Sequence, residues 1–254
     1  MASVTKSGIA ATTLPANKPT PKTKPKGVSV DPDAAALFDR AVKLYSGCKT
    51  LRMRWKILEK SGDSSDLTFF FARPSRSYVQ WYWSGLRQVF IVDGKLLWTL
   101  LHADEPDKHY FKESCDKEKS AVENALSFFV QTPGPGEVLT DWLQGRHELQ
   151  LARIKEMSKR RQYIQAKKLT TAQWKGRSWE RVQVRYQFNP EEGWPVSPAA
   201  IYWLAPDNAR LVKMEEFDNK GEAVATLEML EQTFDAAIPA STFTVKLPRG
   251  AKIN

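Results

Sequence analysis

A chain of 254 residues that is 42% hydrophobic and 11% aromatic can bury one large core. Its two cysteines, Cys48 and Cys115, are too few for a disulfide framework and match no metal-ligand spacing. The net charge of +9 falls to +4 for residues 28–254 once a tail containing five lysines and no acids is set aside; with no RNP, zinc-finger or helix-turn-helix pattern, no nucleic-acid partner is expected.

Residues 1–30 are rich in Thr, Pro and Lys, with too few large apolar groups to pack, and are expected to form a disordered tether. Its lysines alternatively suit a basic arm against anionic lipid head groups, which allows peripheral membrane contact. Residues 9–14 are too short and polar for a signal peptide core, and no run of about eighteen apolar residues suggests a spanning helix. A single domain is expected over 31–254. Asp31-Pro32 supplies an N-cap with proline at the first helical position, and Ala34, Leu37, Phe38, Ala41, Leu44 and Tyr45 recur at helical spacing until Gly47.

From Thr50 the period becomes two: Leu51, Met53, Trp55 and Ile57 alternate with Arg52, Arg54 and Lys56. Leu67, Phe69 and Phe71 form one face of the next strand, shared with Arg73, and Val79, Trp81 and Trp83 one face of the third. Such aromatic density fills a core or walls an apolar cavity, and the pattern leaves both readings open. Asp93-Gly94 predicts a two-residue type I′ hairpin. Helical stripes return at Val122, Ala125, Leu126 and Phe129, and at Val138, Leu139, Trp142 and Leu143, separated by a Pro-Gly breaker at 132–136. They are expected to cover the open side of the sheet, as a lid or as plain packing. Alternation resumes at Val182, Val184, Tyr186 and Phe188 and continues through further strands to Phe234. The total of about eleven strands exceeds what stays flat, so a curved, incompletely closed antiparallel half-barrel is predicted, mainly β with helices on its concave face.

The run Phe71-Ala72-Arg73-Pro74, followed by Ile91-Val92-Asp93-Gly94-Lys95-Leu96-Leu97-Trp98, with Ile238-Pro239 and Phe243 to Gly250 near the end, resembles the periplasmic lipoprotein carriers LolA and LolB. The resemblance spans roughly Asp33 to the C-terminus. It implies an exported, monomeric, non-enzymatic protein that holds a lipid or lipoprotein acyl chain without a cofactor. The implied wall is Trp55, Phe69, Phe71, Val79, Trp81, Phe90, Trp98, Phe129 and Trp142, with Arg73 as the latch that hydrogen-bonds backbone groups beneath the lid. The same fold also implies an alternative, a sensory or scaffold module with a protein partner in the cell envelope.

Among the candidates for chemistry, His102, His109 and His147 have no nucleophile or carboxylate at a motif spacing. They are expected to be ordinary strand-end or surface histidines. Asp104-Glu105 and Glu191-Glu192 lie beside Pro or Gly, where solvated turn carboxylates are usual. The arm from Lys155 to Arg161 departs from the carrier pattern.

Overall fold

The computed structural model describes residues 29–101, 110–129, 136–150, 163–187, 199–218, 220–247 and 253. The expectations for residues 1–28, the breaker at 132–135, the charged arm, His102, His109 and the two acidic pairs lie outside the described residues.

Helix α1 (Pro32–Gly47) begins where the sequence places it: the Asp31 side chain accepts from the Asp33 N–H at 2.9 Å, and Pro32 occupies the first turn. Its buried stripe is Ala34, Leu37, Phe38, Ala41, Val42 and Tyr45. The helix is tied across the sheet by polar contacts along its length. Asp31 Oδ2 accepts from Lys168 N at 3.1 Å, and Arg40 donates to the carbonyls of Pro206 and Asp207 at 2.7 and 2.8 Å.

The strands are β1 (Ser29–Val30), β2 (Thr50–Glu59), β3 (Ser64–Ala72), β4 (Arg76–Trp83), β5 (Leu86–Val92), β6 (Leu96–Leu100), β7 (Tyr110–Ser114), β8 (Tyr163–Trp174), β9 (Arg177–Gln187), β10 (Ala199–Leu204), β11 (Leu211–Phe217) and β12 (Ala223–Phe234). They form one sheet in the order β1-β8-β9-β10-β11-β12-β2-β3-β4-β5-β6-β7, with β1 and β7 as its two edges, so the half-barrel is open. The sheet is mixed, because β1 pairs parallel with β8 through Ser29–Gln165 and Val30–Ala166. Those two residues lie in the stretch that composition assigns to the tail.

Two short helices, α2 (Ala121–Leu126) and α3 (Gly136–Leu143), lie on the face that α1 covers. Helix α2 is opened by a capping box in which Ser120 and Glu123 bond each other's backbone N–H. Burial alternates along β2 as expected, with Leu51, Met53, Trp55 and Ile57 inside. Partners across an antiparallel ladder point the same way, so the concave face is read in rows: Trp55, Leu67, Trp81; Met53, Phe69, Val79, Phe90; Leu51, Phe71, Ser77.

The outer face carries its own apolar clusters. Val89, Ile91, Leu100 and Tyr110 are covered by Val245 and Leu247 of the C-terminal segment. At the other end, Trp179, Ile201, Trp203 and Phe217 pack with Trp174 and Leu169. There Trp203 Nε1 donates to Glu215 at 2.7 Å, and Lys213 joins that carboxylate at 2.8 Å while lying over the Trp203 ring.

The turn at Asp93 differs from expectation. Only Gly94 has a positive φ, of 105°, and Val92 pairs with Leu97, leaving four residues between them. The Asp93 carboxylate accepts from the N–H groups of Lys95 and Leu96, both at 2.9 Å, and this side-chain turn displaces the two-residue type I′ form. A Cβ on Gly94 would also stand 2.9 Å from Ser75 Oγ. Gly94→Ala is therefore expected to lower stability by about 1–3 kcal/mol, read as a shifted denaturant midpoint with an unchanged slope.

Candidate functional site

The concave face is built from side chains that alternation alone turns inward. Trp55, Phe69, Phe71 and Val79 have no exposed surface, and the chain following α2 lays Phe129 onto them. The Phe129 ring stacks on Phe69 with centroids 3.9 Å apart and meets Trp55 edge-on at 5.6 Å. Trp142, from α3, is equally buried and packs against Phe38, Tyr45 and Tyr202. Trp81 and Phe90 are half-buried toward the β4–β5 side, where Phe90 lies 4.8 Å from the Phe128 ring. The aromatic wall is thus filled by its own covering segment in this form, which is the packed-core reading of the pattern.

Trp98 is a correction. It pairs with Ile91, not Phe90, and lies on the outer face with Tyr78, Val245 and Leu247, its ring beneath Lys112 at 5.3 Å. Side chains alternate strictly along β5 and β6, so Phe90 and Trp98 cannot both face the cavity in this register.

On the concave side, the indole N–H groups of Trp55, Trp81 and Trp142 are buried without an acceptor among the described residues. Buried indoles usually find one. Beyond the Trp55 row, a cleft of about 200 Å³ remains, lined by Ile57, Met214, Leu227, Ala225, Glu59 and Glu216. The Glu216 carboxyl is held above the usual carboxylate range because burial disfavours its charge.

Arg73 stands at the end of β3, over the Phe71 ring at 5.3 Å. Its Nε donates to the Cys48 carbonyl at 2.8 Å, and an Nη donates to Leu143 O at 2.6 Å and Tyr45 O at 3.5 Å. Tyr45 belongs to the last turn of α1, Cys48 is its C-cap, and Leu143 is the last residue of α3. Neither helix has a basic residue in its last turn. One guanidinium from the sheet therefore supplies positive charge and donors to two helix C-termini at once. A polar cleft of about 450 Å³, lined by Arg73, Leu143, Gln144, Glu123 and Arg146, reaches this junction from outside.

His147 is also a correction, because it is 1% exposed. Leu149 N donates to Nδ1 at 3.1 Å, so Nε2 carries the proton and donates to Asp39 at 2.9 Å. The ring also packs edge-on against Phe38. It pins the chain leaving α3 to α1, a long-range pairing of residues 39 and 147 with no signature in local spacing.

Both cysteines are free, Cys48 buried and Cys115 half-buried. Burial raises the Cys48 thiol to about 11, against a smaller opposing influence from Arg73. In the native protein at about pH 8, Cys115 is expected to react with a chromogenic disulfide reagent and Cys48 only after denaturation. Because the folded thiol titrates higher than the unfolded one, its contribution is complete below pH 9 and is lost as pH rises toward 11. Reaction of both thiols at one rate in the native protein would contradict this burial.

Among the described residues, no group of three or more His, Cys, Asp or Glu is placed to hold a metal ion, and no helix is long and apolar enough to cross a membrane. No family model and no curated relative matches the chain. Among solved structures, it is similar to an uncharacterised conserved protein from Thermus thermophilus, at 10% identity and a TM-score of 0.50, covering 87% of this chain and 98% of that one. It is also similar to the Mycobacterium tuberculosis lipoprotein LppX, at 15% identity and 0.45, covering 83% and 99%. A LolA superfamily protein from Nitrosomonas europaea matches at 10% identity and 0.31, covering 84% and 97%. At such identities the likeness is one of fold.

Proposed function

We propose that the concave face binds an apolar ligand, a lipid or the acyl chain of a lipoprotein, and that the protein acts as a non-enzymatic carrier in the periplasm or another exported setting. The observation that supports this best is the Arg73 bridge. Its bonds to Cys48 O and Leu143 O lie at a part-buried junction and can break and re-form, as a cover that opens requires. Beneath the cover the wall is apolar apart from the Ser77 hydroxyl, which donates to Ala125 O, and the indole N–H groups, which suit the ester or amide oxygens of an acylated ligand. Phe129 and Trp142 occupy the ligand's place in the closed form, and the ligand replaces their contacts when the α2–α3 segment lifts. Trp55, Phe69, Phe71, Val79, Trp81 and Phe90 remain as the wall.

Native mass spectrometry of the full chain purified from its own host tests the reading. Co-purified lipid or acylated peptide supports the carrier. A stoichiometric protein with no lipid supports a scaffold module in its place and overturns the carrier.

A further inference from the structure

A second site is formed where the sheet splits. The ladder between β11 and β12 runs from Phe217–Ala223 only as far as Lys213–Glu228. Past that point a bulge between Met229 and Glu231 carries β12 on with β2 alone, and a second bulge keeps the start of β11 with β10. The strands part, and the tip of the β8–β9 hairpin reaches over the gap, held by an ion pair between Lys175 and Glu228. The resulting cleft holds about 420 Å³, within the range of small-molecule sites.

The lining is amphipathic in a specific way. Part of it is apolar: Trp174, Trp179, Leu211 and Met229. It also includes Arg177 and Arg210, and among the described residues no carboxylate or carbonyl accepts from either guanidinium. The Arg210 Nε is fully buried without a partner. Glu231, the acid in the lining, is engaged by Arg52 at 3.5 Å. Inside the gap, Tyr45 Oη accepts from Leu211 N at 3.2 Å and from the Gln232 amide at 2.6 Å. The other end of that amide is buried and unpartnered, whichever way it is turned. A buried cationic donor and an unpartnered amide end thus belong to the lining of one cavity that also includes two indoles, and groups left in this way cost stability unless something pairs with them.

From this we infer that the cleft between β11 and β12 binds a small anionic amphiphile, a carboxylate or phosphate monoester on an apolar body. Its head pairs with Arg210 and Arg177, and its body lies against Trp174 and Trp179. A bidentate guanidinium contact suits either oxyanion. The lining of the cleft contains no residue of the proposed wall and does not include Arg73, although Met229 pairs with Trp55 on the neighbouring strand.

Calorimetric titration of the full chain with phenylacetate and with phenyl phosphate tests this. At least one probe is expected to bind saturably, and which one binds identifies the head group. Arg210→Gln and, separately, Arg177→Gln should each weaken it about tenfold or more. Arg177 is exposed at the start of β9, so its variant keeps the test valid even if Arg210→Gln folds poorly. Saturable binding of neither probe, affinity within about twofold of wild type in every folded arginine variant, or inorganic phosphate binding as tightly as the better aryl probe would overturn the proposal.

Discussion

Phe129→Ala is expected to lower stability by about 3–5 kcal/mol, the range for deleting a fully buried aromatic ring that its surroundings only partly refill. The ring has no exposed surface and stacks on Phe69 at 3.9 Å while meeting Trp55 edge-on. Each of those wall residues belongs to a strand paired on both sides, so the sheet has little freedom to collapse into the space. The same substitution is expected to raise the affinity for an apolar fluorescent probe, because the side chain that competes with ligand is gone. Chemical denaturation and probe titration on one preparation read both effects. A loss below about 1 kcal/mol would mean that the ring is not packed as described.

Arg73→Leu is expected to act in the opposite place with a related outcome. The substitution removes charge-assisted bonds to Cys48 O and Leu143 O, which are worth about 1.5–3 kcal/mol each when well made. Partial exposure of the junction reduces that figure. Freed of its bond, the end of α3 should exchange its amide protons faster than the β2–β3 ladder does, and the apparent affinity for apolar ligand should shift by about 1–3 kcal/mol, the usual size of such coupling. Arg73→Lys is expected to restore little, because an ammonium lacks the fixed fork that serves two helix ends together. Unchanged exchange in α3 together with unchanged affinity would remove Arg73 from any role in opening.

The parts of this molecule that could be read in the sequence are those that depend on local period and local chemistry. The inward set Leu51, Met53, Trp55 and Ile57 followed from alternation, and α1 followed from Asp31, Pro32 and its apolar stripe. Arg73 was singled out through the resemblance to the carriers, and its reach to the backbone at the helix ends is present. What escaped depends on partners far along the chain. Including both Phe90 and Trp98 in one wall conflicts with parity: a hairpin with two or four loop residues sets an even position opposite an odd one, so Trp98 follows Ile91 to the outer face. The Asp93 turn was misread because the side chain competes for the backbone N–H groups that a type I′ turn leaves to the ladder.

His147 and Tyr45 show the same limit from the polar side. The partner of His147 lies 108 residues away, and the Tyr45 hydroxyl serves Leu211 and Gln232, 166 and 187 residues away. Periodicity marked Tyr45 as a core position, which it is, but gave no sign that its hydroxyl fills the split between β11 and β12. Burial leaves the phenol well above its usual range, against a smaller lowering influence from those two contacts. The parallel pairing of Ser29 and Val30 with β8 is likewise set by where α1 is anchored, since Asp31 bonds Lys168 directly after it.

The central claim is that the concave face of this half-barrel holds an apolar chain, and the most direct measurement is titration of the wild-type protein with a fluorescent fatty acid, with Phe129→Trp alongside. Saturable binding to wild type is expected, with weaker binding to the variant, whose larger ring overfills the space the ligand must take. Saturable binding in neither protein would contradict the claim, and so would equal affinity in both.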